Sequence, residues 1–230
     1  MILGLDTSTE CLHLALVRGE WAWTRREMLP KGHGHSERLL PALDELLSEA
    51  GATAKDLSGV ACCVGPGGFT SLRIGVATAE GLALTGLPTW GFSAFELRAA
   101  ALRAAGHEGR VWILLDGQRA EAFVQPWEAR ATDSAKKLPI PALPDLIQGE
   151  PWWAPGTFLP KLSALDAGTR IVLDEDAATR EGLAALTRAV ALREPEAPLQ
   201  PFYLRETDAE LNFPGAAAHL DETLRKGLAR

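Results

Sequence analysis

The chain has 230 residues, 47% of them hydrophobic and 23% charged, and its 22 glycines and 15 prolines fall in no repeating period. That excludes collagen-like and low-complexity classes and leaves enough apolar material for one large domain or two small ones sharing an interface. A formal charge of −7 excludes a protein that grips nucleic acid by its own basic surface, because such binding rests on cations that displace counterions from phosphates.

Ile2–Leu5 is a short apolar run that stops at the polar turn Asp6-Thr7-Ser8-Thr9-Glu10. Leu12, Leu14 and Leu16 alternate along a second strand, Arg18-Gly19-Glu20 turns, and 21–29 reads as a third, so the chain opens with a β-meander. Leu39, Leu40, Leu43, Leu46, Leu47 and Ala50 follow helical spacing, with Pro41 expected to kink the early turns and Gly51 to stop the helix. Val60–Val64 reads as a buried strand, Gly65-Pro66-Gly67-Gly68 as a sharp turn, and about 70–84 as a second helix. An extended piece at 88–91 leads to a third helix at 94–105, and Gly106-His107-Glu108-Gly109 reads as a domain boundary.

The second half opens like the first. Val111–Leu115 is an apolar strand ending at Asp116, followed by the turn Gly117-Gln118-Arg119 and a return strand at 120–125. The echo of Asp6 at Asp116 suggests two similar halves, each pointing an aspartate at the other. Leu138–Pro144 reads as an extended connection, 152–154 and 170–173 as strands, 182–192 and 216–228 as helices.

Cys11, Cys62 and Cys63 form no disulfide framework and read as buried reduced thiols. The N-terminal residues lack a basic region and a long apolar run, and no stretch reaches the length of a membrane helix, so a cytoplasmic chain is expected. The Gly65–Gly68 turn has two readings: an anion cradle at a helix N-terminus, or a tight turn that brings strand and helix together. Between Phe69 and Thr85 only Arg73 and Glu80 are charged, so that helix needs cover nearly all round, from the 39–50 helix, from a second subunit, or from both. Asp6 and Asp116 can hold a hydrated magnesium ion between facing hairpins, or each can cap its own turn. Gly32-His33-Gly34-His35 resembles a metal pair that nothing nearby completes, Cys11 and His13 share a strand face, and Gly91-Phe92-Ser93-Ala94-Phe95 lacks the second glycine of a nucleophile elbow. No general acid–base pair stands out.

Leu5–Glu10, His35–Pro41, Gly65-Pro66-Gly67-Gly68-Phe69-Thr70-Ser71-Leu72-Arg73-Ile74-Gly75, Gly81–Leu84, Leu115-Asp116 with Glu121, and Pro201–Arg205 together resemble the TsaB (YeaZ) family of bacterial tRNA threonylcarbamoyladenosine biosynthesis proteins. The resemblance implies the α/β fold of actin, Hsp70 and the sugar kinases, with duplicated β-meander–helix cores. Its lobes would be 1–105, carrying the interface helices, and a reduced 106–230 ending in a helix. It also implies a non-catalytic scaffold that activates TsaD, the transferase that places threonylcarbamoyl on the adenosine beside the tRNA anticodon. TsaE joins that assembly, tRNA is reached through the complex, and the chain pairs with itself when alone. ATP and magnesium would be bound by the partners, with no catalytic or metal-binding residue here. The implied partner surface is Leu39, Leu43, Leu47, Leu72, Arg73, Val76, Ala77, Ala79 and Glu80. The implied motif turn and vestigial nucleotide cleft is Asp6, Thr7, Ser8, Gly65, Pro66, Gly67, Phe69, Thr70 and Asp116. The chain departs from the family pattern at Asp116-Gly117-Gln118, where Asp-Ala-Arg is usual, and at Gly68 and Ser71, where serine and glycine are common. The helix that bears metal-binding histidines in TsaD aligns with 73–84, which holds none. The alternative is a self-sufficient ATPase or kinase of the same fold that uses Asp6 and Asp116.

Overall fold

The computed structural model describes residues 1–29 and 34–204. The helix expected at 216–228, Arg205 of the Pro201–Arg205 motif and His33 of the histidine pair lie outside the described residues. The opening meander is present as β1 (Ile2–Asp6), β2 (Cys11–Arg18) and β3 (Trp21–Met28). With β4 (Gly59–Gly65) and β5 (Thr89–Ser93) they form one mixed sheet in the order β3-β2-β1-β4-β5, in which β4 and β5 run parallel to β1. A second mixed sheet contains β6 (Val111–Gln118), β7 (Glu121–Trp127), β8 (Lys136–Pro139) and β9 (Trp152–Trp153), in the order β8-β7-β6-β9. Each sheet is thus an antiparallel three-strand meander whose first strand also carries a parallel neighbour.

α1 (His35–Glu49) starts four residues before the apolar periodicity, because its first turn is polar, with His35 buried, Ser36 and Glu37 exposed, and Glu37 favourably placed near the helix N-terminus. It continues through Pro41, and Gly51 ends it at φ 61°, while the Ala52 N–H donates to the Leu47 carbonyl. α2 (Phe69–Ala83) and α3 (Ala94–Ala104) fall within a residue of their expected bounds. The stretch expected to be extended, 138–144, is extended only in its first residues, where β8 ends at Pro139; residues 140–142 form a tight turn and α4 (Leu143–Ile147) begins at its close. α5 (Glu175–Val190) begins seven residues earlier than expected. Its acidic first turn, capped by Asp174 accepting from the Ala177 N–H, reads as loop when hydrophobicity is the guide. The strand expected at 170–173 is reduced to one bridge, Trp152 to Arg170.

Three apolar layers separate these elements. Leu3, Leu5, Leu12, Leu14 and Leu16 face α1 and α2. On the other side of the same sheet Ala15, Val17, Ala61 and Cys63 pack with Phe95 and Leu97 of α3, Leu183, Leu186 and Val190 of α5, and Ile113, Leu115 and Phe123 of the second sheet. The outer face of that sheet, through Leu114 and Val124, covers Leu143, Ile147 and Phe158. Burying each large aliphatic side chain contributes about 1.5–3 kcal/mol, so the helix–sheet faces carry most of the fold's stability. After α5 the chain straps back over the first sheet. The Glu196 N–H donates to the Thr89 carbonyl, the Leu199 N–H to Glu80 Oε1 and the Phe202 N–H to the Val64 carbonyl.

The β6–β7 hairpin holds Gln118, Arg119 and Ala120 all at positive φ, 63°, 48° and 62°. Left-handed backbone costs a residue with a Cβ about 1 kcal/mol. Ala120→Gly is therefore expected to raise stability by about 1 kcal/mol, read as a shift in the urea midpoint at constant slope.

Candidate functional site

β1 ends at Asp6, whose side chain turns to the α3 side of the sheet and is fully buried. The Ser8 N–H donates to its Oδ1 at 2.8 Å, and Oδ2 lies 3.4 Å from Arg98 Nη2 and 3.8 Å from His13 Nδ1. Arg98 is 2% exposed on α3, so Asp6 and Arg98 neutralise each other in the interior. Burial pushes the Asp6 carboxyl upward, but Arg98, His13 and the Ser8 contacts outweigh it and hold Asp6 below the usual carboxylate range. Burial brings the His13 imidazole down to about 4 despite the neighbouring Asp6, so it is neutral at pH 7.

The glycine turn closes onto the same loop. The Gly68 N–H donates to the Ser8 carbonyl at 2.9 Å, and a Cβ on Gly67 would strike that carbonyl. Gly65, at φ 120° and followed by a cis bond to Pro66, would bring a Cβ to 2.5 Å from the Phe202 carbonyl. Thr7 sits against Gly75 of α2. These contacts bring the turn tightly against the Ser8 loop and the Phe202 strap, the close-approach role among its two readings. Pro66 is buried beside it, while Phe69 and Thr70 face outward at the start of α2.

Asp116 does not meet Asp6 in a free carboxylate pair. It accepts from the Gln118 N–H at 2.9 Å and pairs with Lys161 Nζ at 2.6 Å, the turn-capping alternative plus a cation. With Asp6 committed to Arg98, the pair does not fit a magnesium–nucleotide site. Among the described residues no three metal-type side chains come together. Ser93 is the N-cap of α3: its Oγ accepts from the Glu96 N–H at 3.0 Å and the Glu96 carboxylate accepts from the Ser93 N–H at 2.7 Å. Burial raises the Cys11 thiol to about 11 and pushes Cys62 and Cys63 upward as well, so all three are protonated at neutral pH.

The residues proposed for a partner surface divide sharply. Leu39, Leu43, Leu47, Leu72, Val76 and Ala79 are buried inside the chain, between α1, α2 and the first sheet, and present no surface to a partner. This corrects the expectation that these six residues belong to the partner surface: the intramolecular packing uses the Leu72–Gly75–Val76–Ala79 side of α2, and only the opposite side of the helix is open. Glu80 is turned to the strap, accepting from the Leu199 N–H at 2.7 Å. Arg73 and Ala77 do face outward. With Thr70 and Gly81 they form a stripe at helical spacing, continued by Leu84 just beyond the helix, which is 90% exposed. Leu40 and Pro41 of α1 are also exposed.

At the head of the stripe the Arg73 guanidinium lies 3.7 Å from the Phe69 ring centre, and its Nε donates to the Tyr203 hydroxyl at 3.1 Å. Tyr203 and Arg98 escaped the sequence reading. Arg98 had a signal, since it falls on the apolar face of α3 between Ala94 and Ala101–Leu102 and a charge there requires a buried counter-ion. Tyr203 had none beyond its motif, being 130 residues from Arg73.

Fold and site define an α/β protein of two mixed sheets whose first hairpin is closed by an internal ion pair and whose second helix shows one uncharged face apart from Arg73. A family model described as TsaD, tRNA N6-adenosine threonylcarbamoyltransferase, matches residues 31–137. A tRNA threonylcarbamoyladenosine biosynthesis protein TsaB from Escherichia coli is 32% identical over 123 residues, 53% of this chain and 52% of that protein, so the match spans about half the length of this relative. An uncharacterized protein of Mycobacterium tuberculosis is 30% identical over 91% of this chain and 93% of its own length. A crystal structure from Pseudomonas aeruginosa, described as similar to peptidase YeaZ, superposes with a TM-score of 0.72 at 27% identity, covering 89% of this chain and 99% of that one. The chain belongs to the TsaB (YeaZ) family.

Arg98→Leu strands a buried carboxylate and is expected to cost about 3–5 kcal/mol, while Asp6→Asn in the same chain restores part of it; chemical denaturation of the three variants measures both. The folded-state depression of His13 acts on the acid side. Its contribution is fully present above about pH 6.5 and is lost as pH falls toward 4, because the unfolded imidazole takes a proton that the folded one refuses. The urea midpoint should drop between pH 6.5 and 4.5, and His13→Gln should flatten that slope.

Proposed function

We propose that this chain is a non-catalytic scaffold that activates the threonylcarbamoyl transferase TsaD during formation of N6-threonylcarbamoyladenosine in tRNA. The observation that carries the reading is the open α2 face of Thr70, Arg73, Ala77 and Gly81 with Leu84 beyond it, small or uncharged except for the Arg73 anchor. Small residues allow a second helix to approach closely, and an arginine stacked on an aromatic ring is a typical interface anchor. The name of the E. coli relative and the TsaD description of the matching family model point to the same process.

In this reading the chain is cytoplasmic and has two lobes, 1–105 and 106–230, each a meander plus helices as in actin and Hsp70. The shared strand order of the two sheets supports the duplication. The second lobe lends α5 to the first sheet. TsaE joins the complex, nucleotide and magnesium belong to the partners, and tRNA is met through the assembly, which suits a chain of charge −7. In the absence of TsaD the same α2 face pairs two copies. An ATPase or kinase built on Asp6 and Asp116 gains no support, since Arg98 and Lys161 already neutralise both carboxylates. Among the described residues no helix is long and apolar enough to cross a membrane.

Ala77→Glu should abolish co-purification with the cognate TsaD and leave the melting curve of the isolated chain unchanged. Ala79→Glu, by contrast, should unfold it, because Ala79 is in the core. Retention of the complex by a folded Ala77→Glu chain overturns the surface assignment.

A further inference from the structure

The sheet edge opposite β5 is bare. β3 bonds only to β2, and among the described residues no other backbone segment pairs with its outer side. Ala22, Thr24 and Arg26 alternate onto the face that α5 covers. α5 runs beside this edge without closing on it, leaving a groove of about 370 Å³ lined by Ala22 and Thr24 from β3 and by Ala177, Arg180, Ala184 and Arg188 among the α5 residues.

Two arginines bridge its walls at the ends. Arg26 Nε pairs with Asp176 Oδ1 at 2.7 Å, and Arg188 donates to the carbonyls of Gly19 and Glu20 at 2.8 and 2.9 Å. From residue 22 to residue 26 a strand advances about 13 Å, room for four residues of extended chain. An open strand edge with a helix alongside is the geometry in which a peptide adds as a further strand, its main chain bonding the edge and its alternate side chains entering the groove.

Charge selects the occupant. Arg188 donates through Nε and Nη2 to carbonyls and pairs with no carboxylate among the described residues. Arg180 is exposed and makes no ion pair or hydrogen bond among the described residues. Against these two cations the lining offers one anion, Glu181. The alanines leave space for side chains of the incoming strand.

We propose that the β3–α5 groove binds an extended, acidic segment of a partner protein by strand addition. The groove lies on the α5 side of the sheet, across from α1 and α2, so it stays open whether or not the α2 face is occupied, and its test does not depend on TsaD.

The test uses the full chain and a fluorescein-labelled six-residue peptide alternating valine and glutamate. Its controls are the lysine counterpart and a version N-methylated on alternate amides. Binding of the glutamate peptide is expected to shift backbone amide resonances along 21–28. Arg180→Glu should weaken it by about five-fold or more, and Ala22→Trp, which fills the groove from an exposed strand position, should remove it. Both side chains are outside the core, so melting curves should match the parent. The proposal fails if the lysine or N-methylated peptide binds equally well, if neither substitution changes the affinity, or if the resonances that move lie elsewhere. It also fails if the β3 edge instead pairs two copies of the chain and takes no peptide.

Discussion

The first sheet has two apolar faces, and everything else in the molecule follows from the need to cover both. Its strands alternate Leu3, Leu5, Leu12, Leu14 and Leu16 toward one side with Ala15, Val17, Ala61 and Cys63 toward the other. The first hundred residues supply α1 and α2 for the leucine side, but α3 alone cannot cover the second. α5 is brought from beyond residue 174 to complete it, and the second sheet then packs on the far side of the same helices. One sheet thereby recruits both halves of the chain into a single apolar interior.

That cover also explains the polar interior. Asp6, His13 and Arg26 lie in register on the side that α3 and α5 close over, so the charges at that end of the sheet lose water and must find one another. Arg98 answers Asp6 and Asp176 answers Arg26. A strand-end aspartate that would be free to approach a ligand in an open cleft becomes part of the scaffold. Cover on the leucine side is one-sided for α2, whose inner face meets the sheet and α1 while its outer stripe remains uncovered. The strap through Leu199 and Tyr203 is held to α2 at Glu80 and, at the head of the stripe, at Arg73, tying the first half to the chain that follows α5.

Much of the architecture was legible because strands and helices announce themselves through period 2 and period 3.6. The meander, α1, α2, α3 and the β6–β7 hairpin all appear where those periods occur. The losses came where local chemistry masked the period: the charged start of β8, the acidic first turn of α5 and the polar first turn of α1. The candidate site was legible as motif but not as geometry. Gly65–Gly68 was recognisable as a turn, while the contact that decides its use, with Ser8 and Phe202, joins residues that are far apart in sequence.

Spacing and motif by themselves determined the opening meander, the aspartate at each meander's first strand, the helix with almost no charge, and the likeness to TsaB proteins that implies the α/β class, because each is a local or periodic property of the chain. Tertiary structure decided which side of α2 is core and which is surface, that Asp6 is paired with Arg98 and Asp116 with Lys161, and that β3 is left beside α5 as an open edge. Those outcomes depend on which distant residues burial brings within hydrogen-bond distance, and no local spacing encodes that.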